Sequence, residues 1–511
     1  MSKEILFTIA QDNSYNTTSP AAKLEGLHRK GFEKHYDAKF LEEYITKVRQ
    51  ERKGDAFSFS WYPYNAPGQW MSENISIPNK VIPEPITLEK TRQELDSGRF
   101  SHIVIATYLS GYNTFREIAK FVRDKHPEIK VIAASVGALV SETSQLADFT
   151  VKGDQVRDLR SIIGQPQTDP LKVVTVKSDT ETRFNGVTKK GSYALLVSSL
   201  GCMYGCDFCP ATAQFGTEYT APFSAQEIKQ AILSAHDTIS PESKDFTVSV
   251  AEPQGLGNIK LWKEVFRLCR DLPFQCDLVS TTSSKVIQRY SLDELTSGAL
   301  RLSTVNIGVE SLLRGYQKNQ GVDLKVLNSR LQEAGINVVS TFIVGLDWQT
   351  KENIKEEVRL LKDLGSSGYI VANLEMQPGT PLYTAFKKNG RLLNVPPELL
   401  SFYGYQAYAH PNFASGFNDM LPLLGEIEDE LTEGSQTLSA NLNVFLKRKN
   451  DSEARQRSII NQMLGDFSKS LDPKAYKNDV SVIVDKFAAE LYFHLAFRQM
   501  DLFHPFILST N

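Results

Sequence analysis

The sequence predicts an α/β protein in three parts. These are a Rossmann-like (flavodoxin-like) domain over residues 1–165, a partial (β/α)6 TIM barrel over residues 191–390 and a mainly helical region over residues 391–511. In the first two parts, strand-like apolar runs alternate with amphipathic helical patterns, which indicates parallel sheets. From Leu423 onward helical patterns dominate. Residues 166–190 are largely polar and contain Pro166 and Pro170, which is typical of a linker.

Three apolar runs predict strands in the N-terminal domain: Ile5–Ala10, Ile103–Thr107 and Lys130–Ala134. Thr114 and Glu117 stand three residues apart in a capping-box pattern, which predicts the start of a helix. Pro127 ends that helical pattern. Open parallel sheets bind ligands beyond the carboxyl ends of their strands, so the loops after these strands are candidate binding loops.

Six further apolar runs predict the barrel strands: Tyr193–Ser198, Phe246–Val250, Asp277–Thr281, Val305–Val309, Val338–Val344 and Tyr369–Leu374. Ser224 and Glu227 form a second capping box and open a helix between the first two strands. Barrel-like α/β sheets carry their chemistry at the carboxyl ends of the strands. We therefore expect the functional residues of this part in the loops that follow the strands.

Composition excludes some classes of function. The 511 residues are 41% hydrophobic and 23% charged with a formal net charge of −3, so a basic footprint for nucleic acid is missing and we expect no nucleic-acid partner. No apolar run is long enough for a membrane span. The N-terminal residues lack the apolar core of a signal peptide, and we expect a protein of the reducing cytoplasm.

Three cysteines carry the most specific signal. Cys202, Cys206 and Cys209 have a C-x3-C-x2-C spacing within one loop. Closed four-iron clusters use four cysteines, so three thiolates can hold three irons and leave the fourth open to a small molecule. A zinc or structural site is the alternative, although zinc normally takes four ligands. Cys269 and Cys276 lie far downstream in apolar surroundings and are interpreted as core thiols.

The cysteine loop resembles the signature of the radical SAM superfamily, including the aromatic Phe208 before the last cysteine. The resemblance extends over residues 190–385. Glu310, in Gly308-Val309-Glu310-Ser311, matches a strand end whose carboxylate meets the ribose hydroxyls of S-adenosylmethionine (SAM). Ile343 and Gly345 match the strand whose backbone flanks adenine, and Glu252 lies where the family binds the SAM amino group, although its Gly-Gly-Glu motif is altered here.

Residues 1–165 resemble the cobalamin-binding domain that precedes many radical SAM cores. Ser135 and Gly137 fall in the small-residue loop after a strand, and Gly153-Asp154 replaces the family's Gly-Glu. Many cobalamin domains carry a cobalt-ligating His after the first strand. Ser14 stands at that position here, so the resemblance implies cobalamin binding without a His ligand from this motif.

The resemblance implies a 4Fe-4S cluster, SAM and cobalamin as cofactors, with an external electron donor such as flavodoxin or ferredoxin. It implies radical methylation of an unactivated carbon in a small-molecule, lipid or peptide substrate. The catalytic acid or base is unknown at this stage. Two alternatives stay open: a radical SAM cyclase or oxidoreductase without methyl transfer, with or without cobalamin, and a non-catalytic iron–sulfur sensor.

Overall fold

The computed structural model describes residues 4–12, 24–27, 31–51, 57–184, 187–250 and 252–432. Ser14 and residues 433–511 of the expected helical region lie outside the described residues. Two large apolar clusters form the core, and each contains residues of both main sheets, so the N-terminal domain and the barrel are packed against each other. No helix in these ranges is long and apolar enough to cross a bilayer.

The described strands form a five-stranded sheet, an eight-stranded sheet and a two-stranded ribbon. In chain order they are β1 (Glu4–Ala10), β2 (Phe57–Pro63), β3 (Asn79–Pro85), β4 (Phe100–Thr107), β5 (Lys130–Ala134), β6 (Phe149–Thr150), β7 (Val174–Phe184), β8 (Val187–Val197), β9 (Leu200–Gly201), β10 (Tyr219–Thr220), β11 (Asp245–Val250), β12 (Gln275–Thr282), β13 (Leu300–Glu310), β14 (Asn337–Val344) and β15 (Gly368–Asn373).

The described helices lie mainly between the strands. In chain order they are α1 (Ala38–Glu51), α2 (Ala66–Glu73), α3 (Leu88–Leu95), α4 (Tyr112–Lys125), α5 (Thr143–Leu146), α6 (Gln155–Ile162), α7 (Pro210–Phe215), α8 (Ala225–Ile239), α9 (Ile259–Leu268), α10 (Ser284–Ile287), α11 (Leu292–Thr296), α12 (Leu324–Glu333), α13 (Lys351–Asp363), α14 (Pro381–Lys388) and α15 (Phe417–Thr432). Short 3-10 turns occur at Glu33–His35, Leu109–Gly111, Val136–Leu139 and Pro397–Leu399.

The N-terminal sheet has the order β3-β1-β4-β5-β6, and all its neighbours are parallel. Counted within the sheet, this is the 2-1-3-4-5 order of flavodoxin-like folds. Strand β1 is apolar and almost fully buried because helices cover both faces of the sheet. The predicted flavodoxin-like fold of this domain is therefore confirmed.

Helix α4 begins earlier than the sequence pattern predicts. Its first residue is Tyr112, its N-cap is Gly111, and no side chain caps it, so the predicted capping box at Thr114 and Glu117 is wrong. The cause is contact with β1: a β carbon on Gly111 would meet the backbone of Ala10, so the tight packing of this turn fixes the helix start. The predicted capping box of Ser224 and Glu227 at the start of α8 is present.

The second sheet has the order β15-β14-β13-β12-β11-β8-β7-β2. Its six strands from β8 to β15 pair in parallel, which confirms the predicted six-stranded partial barrel. Strands β7 and β2 extend one edge with antiparallel pairing.

The expected linker at residues 166–190 contains regular structure, so this part of the prediction is wrong. Residues 174–184 form β7, and β8 already begins at Val187, so the two make a long hairpin. Val174 and Val176 are buried, as are the polar Ser178 and Thr180. The polar composition of this segment gave no sign of a strand. The strand is stabilised by backbone hydrogen bonds to β2 and β8 on its two edges, and less by apolar side chains.

The described part of the C-terminal region closes the barrel beside β15. Residues 391–416 are mostly irregular, and the long helix α15 follows them. Within the described residues of this region, the helical prediction therefore fits only α15. The aromatic residues of this region are buried in the core: Phe402, Tyr403, Tyr405, Tyr408 and Phe413. The region also contacts the N-terminal domain, since Tyr405 donates a hydrogen bond to the carbonyl of His35 at 2.9 Å.

Candidate active site

The cysteine loop follows β8 and is held at its base by the β9–β10 ribbon. Gly201 pairs with Tyr219 in this ribbon, and the Cys202 N–H donates to the Glu218 carbonyl at 3.0 Å. Gly201 has a φ of +82°, and a β carbon there would meet the Glu218 carbonyl oxygen. A glycine is therefore required for the loop to leave the ribbon with this direction.

Cys202, Cys206 and Cys209 are free and half-buried, and they line the same cavity. Burial raises the pKa of Cys206 and of Cys209 to about 11, while the positive charge of Lys318 opposes the increase. No three His, Cys, Asp or Glu side chains in the described ranges are arranged around a single ion, these cysteines included. Zinc needs its thiolates within about 2.3 Å of one point. The three thiols line one cavity, and the cluster that they are expected to hold stays a prediction.

The cavity that these cysteines line, called the cysteine cavity below, lies at the carboxyl ends of the six parallel strands. It includes about 1200 Å³ of non-protein space with its open mouth. The loops after β8 and β11 and the ends of β12 to β15 form its wall. Of the predicted site residues, this cavity brings together Cys202, Cys206, Cys209, Phe208, Glu310 and Ile343.

Glu310 is the last residue of β13 and is buried in the cavity wall. Its φ is +65°, a left-handed conformation that is uncommon for any residue other than glycine and is often found at functional sites. The pairing register between β13 and β14 shifts between Gly308 and Glu310, so a bulge turns the carboxylate into the cavity. Its Oε2 accepts a hydrogen bond from Thr341 Oγ1 at 3.4 Å.

Lys318 is a site residue that the sequence motifs do not single out. Its ammonium group forms an ion pair with Glu310 Oε1 and lines the cysteine cavity. Burial opposes its charge, but the Glu310 carboxylate and the Cys206 thiol raise the pKa of Lys318 above its usual value. The adjacent Asn319 fixes this turn by donating to the Gly308 carbonyl at 2.7 Å. The signal in the sequence was only a Lys-Asn pair eight residues after a strand end.

Glu252 follows β11 and is buried, but its carboxylate does not line the cysteine cavity. Its Oε1 accepts hydrogen bonds from the backbone N–H groups of Ser198 and Ser199, the latter at 2.8 Å. Burial raises the pKa of Glu252 to about 8, although these N–H groups favour its charged form. Glu252 therefore holds the backbone at the start of the cysteine loop, and its expected contact with a SAM amino group stays a prediction.

Ile343 lines the cysteine cavity, but Gly345 does not. Gly345 has a φ of +101°, and a β carbon there would lie 2.5 Å from the hydroxyl oxygen of Tyr408. That hydroxyl donates to the Gly345 carbonyl at 2.5 Å. Gly345 therefore permits the turn after β14 to pack against the C-terminal region, and the structure places only Ile343 beside the cavity.

The chain is similar in sequence to several enzymes that modify tRNA. No family model matches the chain. Curated relatives include tRNA-2-methylthio-N(6)-dimethylallyladenosine synthase from Shewanella baltica, which is 21% identical over 294 residues. The same enzyme from Acinetobacter baylyi is 23% identical over 242 residues, which cover 43% of this chain and 48% of that protein. The Shewanella alignment covers 51% of this chain and 59% of the relative, so the chain spans less than two thirds of the length of these relatives.

Two solved structures are similar over nearly the whole chain. Both are of TsrM from Kitasatospora setae, a radical S-adenosylmethionine methyltransferase, one with cobalamin and a 4Fe-4S cluster and one with tryptophan and a SAM analogue. They superimpose with a TM-score of 0.52 at 13% sequence identity and cover 97% and 91% of this chain and all of the other. The chain therefore shares the overall fold of TsrM.

A second cavity, called the interdomain cavity below, lies between the N-terminal sheet and the barrel. Its wall includes Tyr108, Ser135, Gln155, Ser199, Phe215 and Glu252. Pro210 and Pro253 line both this cavity and the cysteine cavity, so the two cavities are neighbours. The carboxyl ends of both sheets thus meet around one region.

Ser135 reaches the interdomain cavity, whereas Gly137 has a packing role. Ser135 follows β5 with a φ of +64° and lines the cavity. Gly137 lies against Thr107 at the end of β4, and a β carbon there would be 2.5 Å from the Thr107 β carbon. The predicted small-residue loop therefore borders the interdomain cavity through Ser135.

Proposed function

We propose that this protein is a radical SAM enzyme that holds a 4Fe-4S cluster on Cys202, Cys206 and Cys209 and binds SAM in the cysteine cavity. The observation that carries the proposal is the meeting of these three thiols with the buried Glu310 at the carboxyl ends of six parallel strands. When bound, such a cluster supplies the electron that cleaves SAM to a 5′-deoxyadenosyl radical. The remaining tasks of binding and orientation belong to the protein.

Glu310 is proposed to accept hydrogen bonds from the two ribose hydroxyls of SAM. Its carboxylate already has one partner on each oxygen, Lys318 on Oε1 and Thr341 on Oε2. The ammonium group of Lys318 places a positive charge beside this buried carboxylate, and hydrogen bonds from a ligand to a paired carboxylate are charge-assisted. Ile343 and Phe208 supply apolar wall on either side of this polar group, and they exclude water from it.

We further propose that the interdomain cavity contributes to a cobalamin site and that the enzyme transfers a methyl group. Cobalamin, when bound, would supply that methyl group for an unactivated carbon. The proposal is supported by the shared fold with TsrM and by the contact between the interdomain and cysteine cavities at Pro210 and Pro253. The wall combines the small residues Ser135 and Gly153 with the aromatic side chains of Tyr108 and Phe215, a lining that suits a large organic ligand with polar groups at its edge.

The substrate is proposed to be a small molecule, a lipid or a peptide. TsrM is solved with tryptophan as its substrate, and the formal net charge of −3 gives this chain no overall positive charge that would attract nucleic acid. The electron is proposed to come from an external donor such as flavodoxin or ferredoxin. We place this chemistry in the reducing cytoplasm, where an iron–sulfur centre with an accessible iron can persist.

Anaerobic turnover of the reconstituted protein tests the proposal. With SAM, hydroxocobalamin and a strong reductant, we expect formation of 5′-deoxyadenosine or S-adenosylhomocysteine that depends on all three cysteines. Cleavage of SAM by a protein that never retains cobalamin would replace methyl transfer with the cobalamin-free cyclase or oxidoreductase. A protein that binds a cluster and SAM but yields neither product would be a sensor.

A further inference from the structure

We propose that Glu357 and Gln349 form a clamp that fixes the two strand-end loops of the SAM site, and that this clamp sets SAM affinity although neither side chain lines the cavity. This inference rests on the proposed function. Glu357 lies in α13 and Gln349 just before it, and both are fully buried. The first loop follows β13 and Glu310; the second follows β14 and Ile343.

Glu357 holds the first loop. Its Oε1 accepts three hydrogen bonds from consecutive residues after Glu310: the Ser311 hydroxyl, the Leu312 N–H at 2.8 Å and the Leu313 N–H at 3.0 Å. Glu310 has the left-handed conformation described above, which requires support from its surroundings. A buried carboxylate with three donors directly after it provides that support.

Gln349 holds the second loop. Its Oε1 accepts from the N–H groups of Gly345 at 2.7 Å and Leu346 at 2.9 Å, while its Nε2 donates to the carbonyl of Ile343 at 2.9 Å. Ile343 is the residue of this strand that lines the cysteine cavity. Gln349 therefore fixes the backbone on which the expected adenine contacts depend.

One hydrogen bond joins the two halves of the clamp. Gln349 Nε2 donates to Glu357 Oε2 at 2.9 Å. The first loop, Glu357, Gln349 and the second loop thus form one continuous buried network, so a change at either side chain is expected to move both loops. Glu357 and Gln349 are positioning residues, because they act on SAM only through the backbone next to Glu310 and Ile343.

Exchanging acid and amide breaks this link with little change in volume. In Glu357→Gln the new NH2 group must face either Gln349 Nε2 or the three donors of the first loop. In both orientations one donor faces another, so at least one hydrogen bond is lost. In Gln349→Glu two carboxylates face each other. The double exchange restores the donor between positions 349 and 357, but it replaces the bond to the Ile343 carbonyl with two facing oxygen acceptors, so recovery is expected to be partial. Asn328→Asp is the matched control, since Asn328 is buried and donates to Ser366 Oγ at 3.0 Å at the opposite end of the barrel.

Two measurements test the clamp in full-length protein with a reconstituted cluster. We expect each single exchange to weaken SAM binding at least tenfold without loss of cluster absorbance, the double exchange to recover at least threefold, and Asn328→Asp to bind SAM like the wild type. We also expect faster hydrogen–deuterium exchange in both loops, residues 311–314 and 344–347, in either single variant. Faster exchange in only one loop would overturn the clamp. So would a single variant that binds SAM as tightly as a wild type for which SAM binding is measured. Failure of the wild type to bind SAM would instead overturn the proposed function, and the exchange measurement would still judge the clamp.

Discussion

Lys318 forms a buried ion pair with Glu310 in the wall of the cysteine cavity. The pair lies against Gly308, which stands two residues before Glu310 in β13. A β carbon on Gly308 would collide with both the ammonium group and the carboxylate. The pair therefore occupies space that only a glycine at position 308 leaves open. The Gly-x-Glu pattern at this strand end thus encodes two things: the carboxylate and the room for its counter-ion.

Gly308→Ala tests this relationship. The added methyl group must displace Lys318 or Glu310, so we expect SAM affinity to fall about tenfold or more while the cluster still assembles. Gly315→Ala is the matched control, because a β carbon on Gly315 has no neighbour within 4 Å. Isothermal titration with SAM under anaerobic conditions measures both. Equal affinities for the two variants would show that the ion pair tolerates displacement and does not shape the site.

The cysteine assignment predicts a sharp division among the five cysteines. Replacing any one of Cys202, Cys206 or Cys209 with Ala is expected to abolish cluster absorbance and SAM cleavage. Cys269→Ala and Cys276→Ala serve as controls, since both residues are fully buried in the core away from the cavity, and they are expected to retain cluster and activity. Absorbance near 400 nm and 5′-deoxyadenosine release report the two properties. Full SAM cleavage by Cys206→Ala would contradict the assignment.

Apolar runs that alternate with helical patterns predicted the two parallel sheets, because the strands of these sheets are buried and largely apolar, as in β1 and β14. The same rule failed for β7, whose buried Ser178 and Thr180 are polar. Backbone pairing on both edges stabilises this strand, and pairing between distant segments leaves no mark in the local sequence. For the same reason the position of β2 beside β7, rather than in the N-terminal sheet, could not be predicted.

The site was predictable where a residue type does the chemistry, as with the cysteines and Glu310. It was not predictable where the role depends on which way a side chain turns. Glu252 stands at the expected strand end, yet its carboxylate turns to the N–H groups of Ser198 and Ser199. Lys318 looked like a surface lysine, because only the turn fixed by Asn319 brings its ammonium group back over β13.

Glu310→Ala is expected to weaken SAM binding by about tenfold or more. A carboxylate that accepts two ribose hydroxyls contributes charge-assisted hydrogen bonds of roughly 1.5–3 kcal/mol, and every 1.4 kcal/mol is about a factor of ten. The variant also leaves Lys318 buried without its partner, so part of the loss reflects the unpaired charge. Glu310→Ala/Lys318→Met removes both charges and separates the two contributions. Unchanged SAM affinity in the single variant would reduce Glu310 to a structural strand-end residue.

Glu252 predicts a pH dependence of stability. Burial raises its pKa to about 8 from a usual value of 4.5. Between these values the folded protein keeps the proton and the unfolded chain releases it, so stability is fully present below about pH 4.5 and is lost as the pH rises towards 8. Glu252→Gln removes this dependence. We expect the melting temperature of the variant, relative to the wild type in the same cluster state, to rise steadily from pH 5 to pH 8. If the melting temperatures of the variant and the wild type changed in parallel with pH, the two backbone N–H groups would already stabilise the charged form of Glu252 across this range.

Cobalamin is expected to bind without a histidine on cobalt. Ser14 replaces the ligand of the usual motif but lies outside the described residues, as does His28. The three described histidines of the N-terminal domain do not line the interdomain cavity. His35 lies in a 3-10 turn whose carbonyl accepts from Tyr405, His102 lies near the start of β4 at the far end of the sheet from Tyr108, and His126 follows α4 with Asp96 at 3.4 Å.

Hydroxocobalamin added to the anaerobic protein is therefore expected to survive gel filtration, and its cob(II)alamin spectrum to lack nitrogen superhyperfine splitting from an imidazole. Gly137→Val crowds Thr107 and is expected to abolish retention with the cluster intact. Gly164→Ala is the control, since Gly164 also lies in this domain and has open space around it, although its φ of +72° makes the substitution mildly strained. Splitting that disappears in one His→Ala variant would leave cobalamin binding in place but refute the prediction that no histidine ligates cobalt. A wild type that never retains cobalamin would instead remove methyl transfer and leave the cobalamin-free radical SAM reaction.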